Sequence, residues 1–223
     1  MRFVIEPMRL EDIPRVAEIE RICYTTPWPS STYRREIEQN PFARYIVARD
    51  TWIEAARAAQ PATPPEPEKR PFPLSLLPAR AAETGTPRAA SIIGFAGLWL
   101  TLDEAHVTTI AVHPQHRGQS IGELMLSHLI VLAYRLDAEI STLEVRVSNS
   151  TAQNLYRKYG YKEVGIRRRY YSDNNEDAFI MTTDRITSPT YRERFEGLRR
   201  SLRERLDAAE QKAGPAPTVT PAS

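Results

Sequence analysis

One cysteine in 223 residues, Cys23, rules out an intramolecular disulfide framework. No apolar run approaches the ~20 residues a membrane-spanning helix needs, and Met1-Arg2-Phe3 does not begin a signal peptide, so a cytoplasmic protein is the expectation. Charge of one sign is also lacking. Thirty Lys and Arg face 28 Asp and Glu, a net of +2, which argues against direct nucleic-acid binding by charge alone. The four histidines (His106, His113, His116, His128) are scattered without metal-ligand spacing, so no metal is expected. There is no Gly-x-Ser-x-Gly, and Cys23 has no evident activating partner, so covalent catalysis is disfavoured. Neither Gly-x-x-x-x-Gly-Lys-Ser/Thr nor Gly-x-Gly-x-x-Gly occurs, which removes the two best-known phosphate loops.

What remains is an ordinary soluble composition, 41% hydrophobic and 26% charged, in a chain long enough to bury a sizeable core. Periodicity predicts an α/β layer fold with one mixed sheet. Strands are expected at Phe3 to Pro7, Tyr45 to Ile53, Ile92 to Leu100, His106 to Val112, 140–147, Tyr161 to Arg169 and Asp177 to Thr183. Helices are expected at Asp12 to Cys23, Ser31 to Gln39, Gly122 to Leu136 and Thr151 to Tyr159. Residues 54–90 interrupt this domain (1–184). Eight of the 18 prolines lie between Pro61 and Pro87, and proline at that density denies both helix and ladder hydrogen bonds. The segment reads as a disordered or polyproline-like insertion whose apolar cluster is Phe72, Leu74, Leu76 and Leu77. Beyond the domain, Tyr191, Phe195, Leu198, Leu202, Leu206 and Ala209 form one helical stripe in residues 185–213. Residues 185–212 hold eight Lys and Arg against five Asp and Glu, an excess of three. The stripe packs on its own molecule, or it makes a dimer contact or presents a basic surface to RNA. Residues 214–223 read as a disordered tail.

The most informative stretch is TTIAVHPQHRGQSIGELML, Thr108 to Leu126. A β-branched strand ends in His113-Pro114, a polar loop follows, and a helix begins. The first N–H groups of a helix lack internal partners and carry the positive end of its dipole, so such a turn can hold a pyrophosphate. Gly118 and Gly122 leave the approach open, and Arg117 adds a fixed positive charge. A second stretch, ISTLEVRVSNSTAQNLYRKYGY from Ile140 to Tyr161, repeats the strand-to-helix plan. Leu143, Val145 and Val147 share one face of its strand; Glu144 and Arg146 share the other. Asn149 or Ser150 caps the helix, Ser150 with Gln153 fits a capping box, and Gly160 ends it.

The Arg-x-x-(Gly)-x-Gly spacing, with Ser120 where the first glycine is usual, resembles the acyl-CoA loop of the GCN5-related N-acetyltransferases. The string LEVRVSN…A..LYRKYGY resembles the second half of that fold. Thr26-Pro27-Trp28-Pro29 and RRRYYSDNNEDAFIM (Arg167 to Met181) resemble the ribosomal-protein alanine N-acetyltransferases of bacteria and archaea. The resemblance covers roughly Arg2–Ala48 and Ile92–Asp184. It implies acetyl-CoA as cosubstrate and the α-amino group of a protein, a small-subunit ribosomal protein, as acceptor. It implies the backbone of Ile110, Ala111 and Val112 along the pantetheine arm. It implies Arg117, Gly118, Gln119, Ser120, Ile121, Gly122 and Glu123 around the pyrophosphate, and Asn149 also on the cofactor.

It places the catalytic base at Glu144, whose plain alternative is an exposed glutamate paired with Arg146. It supports Tyr156 as the acid that protonates the departing thiolate, although Tyr156 also shares a packing face with Ala152 and Leu155. Pro27, Trp28 and Tyr33 are expected to wall the acceptor site on one side and Arg169, Tyr170 and Tyr171 on the other, with ordinary loop packing as the alternative. Two other functions stay open at this point: acetylation of a small amine such as a polyamine or antibiotic, and coenzyme A binding without catalysis.

Overall fold

The expected alternation of strand and helix is present in a computed structural model, which describes residues 1–58 and 87–214. Seven strands form one sheet: β1 (Phe3–Pro7), β2 (Ala43–Asp50), β3 (Ile92–Thr101), β4 (Glu104–Val112), β5 (Ile140–Arg146), β6 (Tyr161–Tyr171) and β7 (Glu176–Thr183), in the order β1-β2-β3-β4-β5-β7-β6. All pairings are antiparallel except that of β4 with β5. The helices among the described residues are α1 (Ile13–Cys23), α2 (Ser30–Gln39), α3 (Thr51–Ala58), the single turn α4 (Pro87–Ala90), α5 (Ile121–Arg135), α6 (Ser150–Lys158) and α7 (Pro189–Ala213).

Most boundaries fall within two residues of expectation, and two of the differences bear on the site. The strand predicted to reach Ile53 stops at Asp50, because the Asp50 carboxylate accepts the Trp52 N–H at 3.0 Å and the chain turns into α3. This side-chain bond satisfies a helix-start donor. The edges of the predicted insertion are therefore helical, in α3 and α4; Phe72, Leu74, Leu76 and Leu77 lie outside the described residues. The strand predicted for 140–147 ends at Arg146, so Val147 is 41% exposed while Leu143 and Val145 are buried.

The sheet packs on both faces. Helix α5 lays Leu124, Met125, Leu126, Leu129, Ile130 and Ala133 into one core, and α1 and α2 cover the other with Val16, Ile19 and Tyr33. Fully burying one such aliphatic side chain contributes roughly 2 kcal/mol. The α7 stripe joins the first core through Tyr191, Phe195, Leu202 and Leu206, so it packs on its own molecule. It also braces the helices beside the site. The Tyr191 hydroxyl donates to the Tyr159 carbonyl at 2.8 Å, and Arg205 reaches Glu123 on α5 at 2.8 Å.

Candidate active site

The sheet splits in its middle. β4 and β5 pair only from Glu104↔Ile140 to Val107↔Leu143. Beyond Val107 the β3–β4 register slips, so that Thr108 is an extra residue on β4. An extra residue bends a strand and increases its twist. β4 follows β3 onward to Val112, while β5 follows β7 to Arg146, and a wedge opens between them. The wedge leads into a cavity of about 480 Å³ lined by residues of α1, the α1–α2 loop, β4, β5, α6 and the β6–β7 hairpin.

The β4 edge of the wedge is made of main chain. The Ile110 carbonyl accepts from the Tyr24 hydroxyl at 3.2 Å, and the Val112 carbonyl accepts from Arg117 Nε at 3.2 Å and Cys23 Sγ at 3.4 Å. Ile110 and Val112 therefore turn their backbone groups away from β3. Alternation turns Ala111 the other way, and its carbonyl lies against Gly94 of β3. Of the three residues expected to line the pantetheine arm by main chain, Ala111 departs: its polar groups belong to the sheet and its side chain is buried. Burial holds the Cys23 thiol above its ordinary pKa despite nearby Arg117, so it remains a neutral packing residue.

At the end of β4 the loop carries free donors. Gly118 sits at φ +78 with open space around it, a conformation glycine adopts at no cost. Ser120, the N-cap of α5, also has a left-handed backbone, φ 61 and ψ 15, and its side chain makes no capping bond. The first helical bond runs from Leu124 N–H to the Ser120 carbonyl at 2.9 Å, which leaves the N–H groups of Ile121, Gly122 and Glu123 pointing outward. The Ile121 side chain is buried. The Glu123 carboxylate points inward, to Lys158 at 2.6 Å, the Tyr159 hydroxyl at 3.0 Å and Arg205 at 2.8 Å. Burial works to raise its pKa, but Lys158 and Arg205 outweigh that and hold it low. Its side chain is thus a brace, and only its N–H is available to a phosphate. The free donors, the empty space over Gly118 and the open carbonyl edge together fit an acyl-CoA.

The β5 edge is made of side chains. Glu144 is almost covered, its side chain 7% exposed. It lies 2.6 Å from His106 Nε2 and 3.0 Å from Arg167 Nε. Burial acts to raise its carboxyl pKa, but the bond and charge of His106 and the charge of Arg167 prevail, so it stays below the ordinary value. Arg146, the partner expected in the plain alternative, binds Asp173 at 2.8 Å and Glu176 at 3.0 Å instead. Tyr156 lines the cavity from α6, and burial lifts its phenol well above the ordinary range. Asn149 also lines the cavity and caps α6, accepting from Ala152 N–H at 3.1 Å. Ser150 is the first helical residue, and Gln153 donates to the Arg146 and Val147 carbonyls, both at 2.9 Å, so the expected capping box does not form. Gly160, at φ +88, follows the end of α6 as expected.

Pro27 and Trp28 wall the cavity on one side and Tyr170 and Tyr171 on the other. Tyr33 also lines the cavity beside Trp28, with its side chain buried. Its hydroxyl and the Trp28 N–H both donate to the buried Glu20 carboxylate, at 2.9 and 3.0 Å. Arg169 is not part of the lining; it has a left-handed backbone (φ 51) and gives its N–H to Asp177 at 2.8 Å. Arg146 stacks over Tyr171 at 3.8 Å, and Thr25 bridges the two walls by a hydrogen bond to Asp173. Sequence reasoning missed His106, Arg167, Tyr24, Glu20 and Asp173. A histidine among the β-branched and apolar residues of β4 was the available signal for His106. Among the described residues, no group of three His, Cys, Asp or Glu could hold a metal, and no helix is long and apolar enough to cross a membrane.

Residues 13–161 match the model of the Acetyltransferase (GNAT) family. The chain belongs to that family. A Bacillus subtilis (strain 168) protein, provisionally named a ribosomal protein bS18-alanine N-acetyltransferase, is 36% identical over 177 residues, 79% of this chain and 92% of that protein. The crystal structure of the ribosomal-protein-S18-alanine N-acetyltransferase from Escherichia coli superposes with a TM-score of 0.58 at 26% identity, covering 81% of this chain and 92% of that one. The NatC complex bound to Gag peptide and CoA shares the fold, with a TM-score of 0.59 at 21% identity over 82% of this chain and 99% of that one. The GNAT sheet, with its split between β4 and β5, is thus the scaffold of the wedge described above.

Proposed function

We propose that this GNAT protein transfers the acetyl group of acetyl-CoA to the N-terminal α-amino group of a protein in the cytoplasm, with the N-terminal alanine of a small-subunit ribosomal protein as acceptor. The observation that carries this reading is the wedge. Main-chain groups of β4 face it from one side, with the α5 N-terminus following at the end of that strand, and Glu144 and Tyr156 line the same aromatic-walled cavity. The similarity to the Bacillus subtilis and Escherichia coli proteins supports the choice of acceptor.

The chemistry follows from the residues. An α-amino group has a pKa of about 8, so a useful fraction is already neutral near pH 7. Glu144, ionised and held by His106 and Arg167, accepts the proton of the attacking nitrogen directly or through one water. The C–N bond forms first, the C–S bond then breaks, and Tyr156 gives its proton to the departing thiolate sulfur. Holding the two reactants in one cavity supplies much of the rate. In this reading His106 positions Glu144, residues 1–184 carry the catalysis, and the 185–213 helix braces α5 and α6.

The deciding experiment measures thiol release from acetyl-CoA with peptides that begin with Ala, Ser or Met, and with spermidine. Turnover with Ala-start peptides is expected. Turnover with spermidine alone would move the protein to small-amine acetylation. Acetyl-CoA binding without turnover on any acceptor would make it a coenzyme A-binding module.

A further inference from the structure

Tyr24 follows the last residue of α1, in extended conformation, and its side chain reaches the open edge of β4. Its hydroxyl lies 2.9 Å from Thr109 Oγ1 and donates to the Ile110 carbonyl at 3.2 Å. It lines the same cavity as Glu144 and Tyr156. The N–H and C=O of one strand residue point to the same side, so the Ile110 N–H also faces the wedge, next to this hydroxyl. Two hydrogen-bond donors thus converge on one stretch of the acyl donor's path: a main-chain N–H and a phenol. With the Thr109 hydroxyl donating to the phenol oxygen, the Tyr24 proton, which now points to the Ile110 carbonyl, can be given to an acceptor on the wedge side.

Resting on the function proposed above, we propose that Tyr24 is a catalytic residue of the acetyl transfer: its hydroxyl donates to the thioester carbonyl oxygen beside the Ile110 N–H, completing a two-donor oxyanion site. Attack by the amine nitrogen on the carbonyl carbon moves the C=O π pair onto oxygen. Tyr24 and Ile110 hold that negative charge by hydrogen bonds and transfer no proton. When the pair returns, the C–S bond breaks and the thiolate departs, while the nitrogen's proton goes to Glu144. Donors fixed before charge develops, in a site shielded from water, stabilise an oxyanion far more than the same donors in water. A ring here needs no hydroxyl to fill space. Burial keeps the phenol neutral, so the donor is present throughout the working pH range. The Ile110 carbonyl that the hydroxyl now contacts has two lone pairs, so an amide of the cofactor arm can use it while the hydroxyl turns to the thioester.

The test is Tyr24→Phe, which removes one oxygen and keeps the ring. Removing one oxyanion donor costs on the order of 100-fold in kcat; that loss is expected with the KM for acetyl-CoA within about twofold of wild type. The independent readout is the infrared carbonyl stretch of acetyl-CoA labelled with carbon-13 at the carbonyl, bound without acceptor. It should lie at lower frequency in wild type than in Tyr24→Phe. An unchanged kcat overturns the proposal. So does a lowered kcat with identical carbonyl stretches, which would make Tyr24 a packing residue. If the wild-type protein acetylates nothing, the function proposed above fails, and the carbonyl comparison still decides whether Tyr24 contacts the thioester.

Discussion

The two edges of the wedge are built from different materials, and the proposed function gives them different jobs. The β4 edge presents carbonyl and N–H groups of Ile110 and Val112, with free donors at the start of α5 just beyond. The β5 edge presents side chains: Glu144 tied to His106 and Arg167, Tyr156 on the adjoining helix, and Tyr170 and Tyr171 on the hairpin. Main-chain groups survive substitution of the residue that carries them; side-chain groups do not. Cofactor binding should therefore tolerate changes along β4, and catalysis should be brittle along β5. A change that weakened acetyl-CoA binding from the β5 edge, or abolished turnover through an Ile110 side chain, would break this division.

The largest effect is expected at Glu144. Glu144→Gln keeps the shape and removes the base, so kcat should fall by at least about 100-fold while acetyl-CoA affinity, read by calorimetry, stays within about twofold. Equal losses in binding and turnover would show that Glu144 belongs to the cofactor side. His106 comes next. His106→Asn leaves the base unoriented on one side, with Arg167 still in place, and a fall of about tenfold in kcat is expected. The pH profile sharpens the point. The Glu144 carboxyl is depressed, so in the folded protein it stays charged until pH falls through that lowered value. The acid limb of kcat/KM must then belong to the acceptor, near the ~8 of an α-amino group, and it should move with the acceptor's own amine pKa. A limb that stays fixed when the peptide's amine pKa is changed would return the titration to the enzyme.

On the opposite edge, Ile110→Val shortens a partly buried side chain and leaves its N–H and C=O in place. It should cost about 1 kcal/mol in stability, seen in urea unfolding, and change kcat/KM by less than about twofold.

The same division explains what the sequence could and could not disclose. The strand-to-helix turn at Val112–Ile121, the alternation that buries Leu143 and Val145, and the α7 stripe are local patterns, and all three appear where periodicity placed them. Glu144 and Tyr156, the proposed base and acid, sit inside such patterns, and both line the cavity. The contacts that define the site are not local. His106 meets Glu144 because β4 and β5 run parallel with His106 opposite Thr142, so that Glu144 follows two residues on along the same face. Nothing in either stretch alone states that register. Thr25 and Asp173 are 148 residues apart and meet only because two loops frame one cavity. The strand predicted through Ile53 failed for a local reason that propensity understates. Thr51, Trp52 and Ile53 favour strands, yet the Asp50 carboxylate starts a helix there. Ala111 was grouped with its neighbours because a run of three reads alike in sequence, and only the ladder shows that the middle one faces inward.

The smallest effect expected lies in the proposed phosphate loop, at the end of the β4 edge. Ser120 occupies a left-handed conformation with no capping bond from its side chain. A non-glycine residue in that region carries a steric cost of about 1–2 kcal/mol. Glycine removes it, but an unfolded chain with glycine has more freedom to lose, worth roughly 0.5–1 kcal/mol. The difference, from zero to about 1.5 kcal/mol, favours Ser120→Gly, a rise of at most a few °C in Tm for a chain of this size. The substitution touches no main-chain donor, so acetyl-CoA affinity should hold within about twofold. A clear loss of affinity in Ser120→Gly would mean that the hydroxyl itself contacts the phosphates, and that the β4 side of the wedge uses a side chain after all.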